Sequence, residues 1–426
     1  MNTDTAKTPG QKEKRKLPTK WRWIRLGEVI QEAQAGFACG ERDAEGIVQL
    51  RMNNLDTRGN FIWDDVLRVP KEGNNIEPFL LVPGDVLFNN TNSTELVGKS
   101  ALFADYTEPI VYSNHFTRLR PIIDGLLPEY LASWLNHQWQ QGIFASICNR
   151  WIGQSAVKTD NLLSLEIPLP PLPEQRRIVG VLREQMAAVE KARIAAQARL
   201  EAIKALPAAF LRLVFPQPGQ LLPDSWRWVK LGDVALQGPD NGVFKRREDF
   251  GSGAPMINVS DLYRSLYVEM ALTERVHVTE DELTKFQIAP GDLFFCRSSL
   301  KREGIGWCCV VKELDEPSVF ECHVMRVRLK YTDALPEYVA YYWQHPSVRE
   351  KVIGNSRTAT MTTMNQQDLG GVPIPLPPLV EQQQIAAALH ERMAAMEKAR
   401  TAAEAELAAI NALPAPLLHR AFNGEL

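Results

Sequence analysis

The chain has 426 residues, 45% of them hydrophobic, and a formal charge of −3. That length can bury more than one core, and the lack of a basic surplus argues against an unaided, nonspecific nucleic-acid binder. No apolar run approaches the roughly 20 residues of a membrane helix, and the polar start, Met1 to Lys20, does not read as a secretory signal. The six cysteines show no CxxC spacing, and Cys308-Cys309 are adjacent, which suits neither a disulfide framework nor a zinc site. A reducing cytoplasm fits this usage.

In chain order, residues 1–20 read as a flexible arm containing Lys12-Glu13-Lys14-Arg15-Lys16. A first globular part, 21–172, opens with Trp21-Arg22-Trp23-Ile24-Arg25-Leu26-Gly27. It carries strand-like pieces at 65–69 and 86–88 and a helix opened by Leu127-Pro128-Glu129-Tyr130. Within a helical part at 173–215, the composition from Glu174 to about Leu206 turns to strong helix formers. Leu182, Val189, Ala196 and Ile203 form a seven-residue series there, beside a second series that starts at Ile178 and weakens through Gln185, Ala192 and Arg199. Such a period marks a coiled-coil seam. Pro207 is expected to stop or kink this helix.

The chain then repeats itself. Trp226-Arg227-Trp228-Val229-Lys230-Leu231-Gly232 opens a second part, 216–379, and Leu335-Pro336-Glu337-Tyr338 opens its helix. Pro168-Leu169-Pro170-Pro171-Leu172-Pro173-Glu174-Gln175 returns 207 positions later as Pro375-Leu376-Pro377-Pro378-Leu379-Val380-Glu381-Gln382. The second helical part, 380–426, carries the seam again as Ile385, Leu389, Met396, Ala403 and Ile410. The fold class that follows is α+β: two mixed α/β domains joined by two long helices in an antiparallel coiled coil, with an internal pseudo-twofold repeat. At about 1.5 Å per residue each helix would span roughly 45–50 Å and act as a ruler.

Between the matched anchors the halves diverge, which suggests one scaffold with two surfaces. After Pro83-Gly84-Asp85 and its apolar strand come Asn89, Asn90 and Asn92; after Pro290-Gly291-Asp292 come Arg297, Ser298, Ser299, Lys301 and Arg302. Asn pairs bidentately with adenine and Arg with guanine, while hydroxyls take phosphates or base edges. Asn53, Asn54, Lys99 and Arg150 add candidates in the first half, and Lys245, Arg246 and Arg357 in the second. Gly98-Lys99-Ser100 fails as a phosphate loop because Ser93 stands where Gly is needed. His115 and His323 occupy matched places without an obvious ligand-type partner and read as structural. No catalytic residues and no metal site are expected.

The doubled Pro-Leu-Pro-Pro-Leu-x-Glu-Gln segment, with the Trp-x-Trp-x-x-Leu-Gly and Pro-Gly-Asp segments, resembles the specificity subunit of type I restriction-modification enzymes (HsdS). The resemblance spans the chain beyond its first twenty or so residues. It implies two target recognition domains, each reading one half of a bipartite asymmetric site in double-stranded DNA, with conserved helices setting the unread gap. It implies two methyltransferase subunits as partners, methylating adenine N6 with S-adenosylmethionine, and motor-nuclease subunits using ATP and Mg2+. This subunit itself would hold no cofactor. The specificity subunit of a related fused restriction-methylation system, or a two-headed protein-interaction scaffold, are the alternatives.

Overall fold

A computed structural model describes residues 17–73, 75–358 and 361–426; the basic run at 12–16 lies outside them. The chain divides into two compact units, residues 1–196 with 406–426, and residues 197–405. Each unit therefore takes one end of each long helix.

In the first unit a four-stranded antiparallel sheet runs in the order Ile30–Ala35, Phe116–Pro121, Val86–Asn89, Ser100–Leu102. A second sheet orders Leu67–Val69, Ile47–Leu50 and Ile110–Tyr112, and Arg22–Arg25 pairs with Glu166–Leu169. The second unit repeats this plan, with Ala235–Asn241, Val324–Leu329, Leu293–Cys296 and Cys308–Val310 as its four-stranded sheet. The helices Pro128–Gln140 and Pro336–Trp343 bury Tyr130, Trp134 and Leu135, and Tyr338, Tyr342 and Trp343, in the respective cores.

The repeated motifs turn out to be buried polar joints. The Asp85 carboxylate is wholly buried and accepts from Arg120 Nε and Nη2 at 2.8 and 2.9 Å; Asp292 accepts from Arg328 in the same way at 2.7 Å twice. Gln175 Oε1 accepts the Leu127 amide at 2.9 Å while its Nε2 donates to the Gly125 and Pro170 carbonyls. Gln382 repeats the joint with Leu335, Asp333 and Pro377. A buried amide with its hydrogen bonds satisfied fixes the angle at which each Pro-rich entry meets its helix.

The long helices are Leu172–Val214 and Leu379–Ala412. Ile178 and Leu182 are buried in the first unit's core and Leu389 in the second's, while Val189, Ile203, Ile385, Met396 and Ile410 are half-buried. Beside them Met186, Arg193 and Leu200, with their copies Met393, Arg400 and Leu407, are also shielded, whereas Ala192 and Arg199 of the expected second series are exposed. Arg193 and Arg400 are tolerated there because Glu190 and Glu397, one turn earlier, pair with their guanidinium groups.

Pro207 does not end the first helix, which continues to Val214. Leu211 and Phe215 enter the second unit's core and offset the hydrogen bond that proline forfeits. The second copy has Pro416 as well as Pro414, and there the helix breaks before a separate one, Pro414–Phe422.

That last helix closes the first unit. Phe422 packs against Tyr130 and His137, and His419 lies beside His137. Burial, with His419 nearby, lowers the His137 pKa from 6.5 to about 4, and its Nε2 has no hydrogen-bond partner among the described residues to favour the charged form. The unfolded chain therefore binds the proton more readily, so this contribution is complete above pH 6.5 and is lost as pH falls towards 4. Urea titrations at pH 7.5 and 4.5 should show His137→Asn losing roughly 2–3 kcal/mol less than the parent over that interval. An identical pH response in the variant would remove His137 from the account.

Candidate nucleic-acid interface

Each unit carries one further small sheet. The buried strand Val86–Asn89 leads into Thr91–Asn92, which pairs with Gln154–Ala156, the second arm of a hairpin whose first arm is Asn149–Trp151. In the second unit Leu293–Cys296 leads into Ser298–Ser299, which pairs with Thr362–Thr363, itself paired with Arg357–Thr358. Two segments far apart in sequence are thus stitched beside the end of the same core strand in each half.

The register places residues in rows. Asn92, Ser155 and Arg150 are directly opposite one another across three strands, and Ser298, Thr363 and Arg357 form the matching row. Opposed residues share a face, and each row ends in an exposed arginine; in the first row Ser155 is buried with its hydroxyl 2.8 Å from Thr94 Oγ1, and Asn92 donates to Asn89 Oδ1 and accepts the Ser93 amide. Asn92 with Arg150, and Ser298 with Arg357, were separate candidates in the sequence; the structure joins them. Ser155 and Thr363 were missed, although Arg150 and Arg357 differ by the repeat distance of 207 and pointed to a matched hairpin. At the first hairpin's tip Trp151 and Ile152 stand exposed, with Gly153 turning the chain at φ +81°.

Other candidates are corrected. Asn89 is fully buried, its Nδ2 donating to the Thr91 and His115 carbonyls and its Oδ1 accepting from Asn92 Nδ2. Asn90 donates to the Asn114 carbonyl and Thr117 Oγ1 and accepts from Thr91 Oγ1. Asn54 caps its own turn by accepting from the Arg51 amide and donates to Ile62 and Asp65 carbonyls. Lys99 is buried with its ammonium on the Leu55 carbonyl, and burial lowers its pKa. These four hold loops in place and offer nothing to a groove. Gly98 likewise serves a turn: φ is +96°, and a Cβ there would lie 2.2 Å from Phe144.

The remaining candidates stay at the surface to different degrees. Asn53, Arg246, Lys301 and Arg302 are exposed. Lys245 is committed to Glu282 at 2.6 Å, so its charge is offset. Ser298 and Ser299 are nearly buried but line a cleft of about 740 Å³ with Tyr263, Trp307, Lys301 and His323. Arg297 is half-buried; its Nη1 donates to the Cys322 carbonyl at 3.1 Å, and among the described residues its other guanidinium N–H groups have no partner. His323 was expected to lack a ligand-type neighbour, yet its Nδ1 is 2.9 Å from Glu321 Oε2 and 3.6 Å from Cys322 Sγ.

A family profile described as the type I restriction modification DNA specificity domain matches residues 52–198 and 223–406. The chain belongs to that family. Among curated members of the type I restriction enzyme specificity subunits, it is 26% identical over 400 residues to the EcoKI subunit of Escherichia coli (strain K12), covering 88% of this chain and 82% of that one. It is 24% identical over 392 residues to the StySPI subunit of Salmonella potsdam, again covering 88% and 82%. Its fold is similar to a chain solved in work on assembly and conformational transition of a type I R-M system, at TM-score 0.76, 24% identity, and 97% and 100% coverage. It is also similar to the HsdS subunit from Thermoanaerobacter tengcongensis, at TM-score 0.58, 24% identity, and 97% and 99% coverage. The type I specificity fold, two mixed α/β domains and long helices, is therefore that of this chain. No helix among the described residues is long and apolar enough to cross a membrane.

Proposed function

We propose that this chain reads a bipartite DNA sequence for a type I restriction-modification complex and performs neither methylation nor cleavage itself. The observation that carries this reading is the doubled small sheet: the same three strands in both units, each presenting an exposed arginine, Arg150 or Arg357, in a row with a different polar set, Asn92 and Ser155 in one and Ser298 and Thr363 in the other. A scaffold repeated with different donor and acceptor sets suits two half-sites of unlike sequence. Exposed Trp151 and Ile152 beside Arg150 suit a wedge that unstacks a base step. The relatives' naming as type I specificity subunits does not favour the fused system or the protein-interaction scaffold.

In this reading two methyltransferase subunits supply the S-adenosylmethionine chemistry, and motor-nuclease subunits that of ATP and Mg2+. They also add the positive surface that a chain of charge −3 lacks. The long helices set the gap between half-sites, and the complex works in the cytoplasm. An adenine must leave the stack to be methylated.

Co-expression with a cognate methyltransferase subunit, followed by genome-wide mapping of N6-methyladenine, tests the reading. A new bipartite motif with a fixed gap supports it; a complex that forms and methylates no defined motif refutes it. Within that assay Arg297→Ala is expected to weaken one position of one half-site by about 1–3 kcal/mol, roughly 5- to 150-fold. An equal loss on all sequences would reassign Arg297 to phosphate contact.

A further inference from the structure

We infer that the turn Glu321-Cys322-His323 is a three-ligand site for Zn2+ at the edge of the second unit's cleft. Glu321 Oε2, Cys322 Sγ and His323 Nδ1 are separated by 2.9 Å (Glu–His), 3.6 Å (Cys–His) and 3.7 Å (Cys–Glu). Tetrahedral Zn2+ with Zn–S near 2.3 Å and Zn–N and Zn–O near 2.0 Å places such atoms about 3.5 Å apart when sulfur is involved and about 3.3 Å otherwise. A shift of a few tenths of an ångström at the side-chain tips closes the difference. Carboxylate, thiolate and imidazole are all zinc ligands.

The backbone beneath the three side chains is already fixed. The Glu321 amide donates to the Ile257 carbonyl and the Val324 amide to the Glu321 carbonyl, both at 3.0 Å. The His323 carbonyl accepts the Arg297 amide at 2.7 Å, and the Cys322 carbonyl accepts Arg297 Nη1 at 3.1 Å. Little ordering remains for a cation to impose, and whatever occupies the turn bears directly on Arg297 and Ser298. Glu321 and His323 both line the cleft, which leaves the fourth position to water from that side.

The repeat supplies an internal control. The same turn in the first unit reads Ser113-Asn114-His115, which keeps the histidine and replaces the carboxylate and thiol by a hydroxyl and an amide. Any stoichiometric site of this kind should therefore belong to the second unit alone.

Binding transfers the Cys322 thiol proton to solvent as the Zn–S bond forms, Zn2+ keeping its charge and no electron moving. The bound trio would be neutral overall, since the two anionic ligands balance the ion. It would turn a locally acidic edge of the cleft into one that no longer repels phosphate.

Titration of the full chain, purified free of metal, with Co2+ and then Zn2+ tests the inference without DNA and so independently of the function proposed above. The expected result is one Co2+ per chain, with tetrahedral visible bands and a near-ultraviolet thiolate-to-cobalt band that Zn2+ displaces. Cys322→Ser should abolish the near-ultraviolet band, and His323→Gln should weaken binding at least about tenfold. Cys39→Ser with Cys148→Ser, which removes the half-exposed cysteines elsewhere, should leave it unchanged. Far-ultraviolet circular dichroism verifies that each variant is folded. Failure to take up a stoichiometric equivalent, or a thiolate band that survives Cys322→Ser, would overturn the site.

Discussion

Asp292→Ala is expected to destabilise the second unit by about 3–5 kcal/mol, the cost of leaving a buried ion pair half-made. The carboxylate has no exposed surface and accepts Arg328 Nε and Nη2 at 2.7 Å each, while Oδ2 also accepts the Ala289 amide at 2.8 Å. Removing it strands a partly buried guanidinium and a turn amide together, and opens a void behind the core strand Leu293–Cys296. Asp292→Asn keeps the shape without the charge and should fall between parent and alanine. Asp292→Ala combined with Arg328→Met should cost less than the sum of the single changes, because no uncompensated charge remains. Asp85→Ala should repeat the effect in the first unit, where Arg120 is the partner. Urea denaturation midpoints measure all of these. A loss below about 1 kcal/mol for Asp292→Ala would mean that Arg328 finds water as readily as it finds Asp292.

The same joints explain what the sequence disclosed and what it withheld. The Pro-Gly-Asp and Pro-Leu-Pro-Pro-Leu-x-Glu-Gln repeats are legible because Asp85, Asp292, Gln175 and Gln382 each satisfy several partners at once, so both copies retain them. The first seam series was legible for a similar reason, being uniformly apolar. The second weakens through Gln185, Ala192 and Arg199; the shielded positions beside it include Arg193 and Arg400, and hydrophobic periodicity does not register an arginine neutralised by a glutamate three residues earlier.

At the candidate interface the failure had another cause. Asn89 and Asn90 look like a polar tip after an apolar strand, and composition cannot distinguish an amide facing solvent from one bonded inside a bend. Here the chain passes from the four-stranded sheet to the small one, and the carbonyls of residues 91, 114 and 115 draw those amides inward. The residues left outside are those that pair with the distant hairpin. That long-range pairing was present in the sequence only as the shared spacing of Arg150 and Arg357.

Phe422→Ala is expected to cost about 3–5 kcal/mol and to loosen only the first unit, although Phe422 follows the helix that leaves the second. The ring is nearly buried, edge-on to Tyr130 and close to His137. Phe215 is its counterpart at the end of the first long helix, edge-on to Tyr338 and Tyr342 in the second unit's core. Each unit is thus completed by a phenylalanine that follows, in sequence, a long helix begun in the other's residues. If these rings close the units, Phe422→Ala should speed hydrogen exchange in the helix Pro128–Gln140 and spare Pro336–Trp343, and Phe215→Ala should do the reverse. Equal acceleration in both helices by either variant would show that the units melt as one, and would defeat the assignment of each phenylalanine to a single core. The reciprocal outcome would tie each recognition surface to the far end of a long helix. A change in helix length would then have to preserve the seat of that phenylalanine as well as the seam, and insertions of whole heptads are the ones that can.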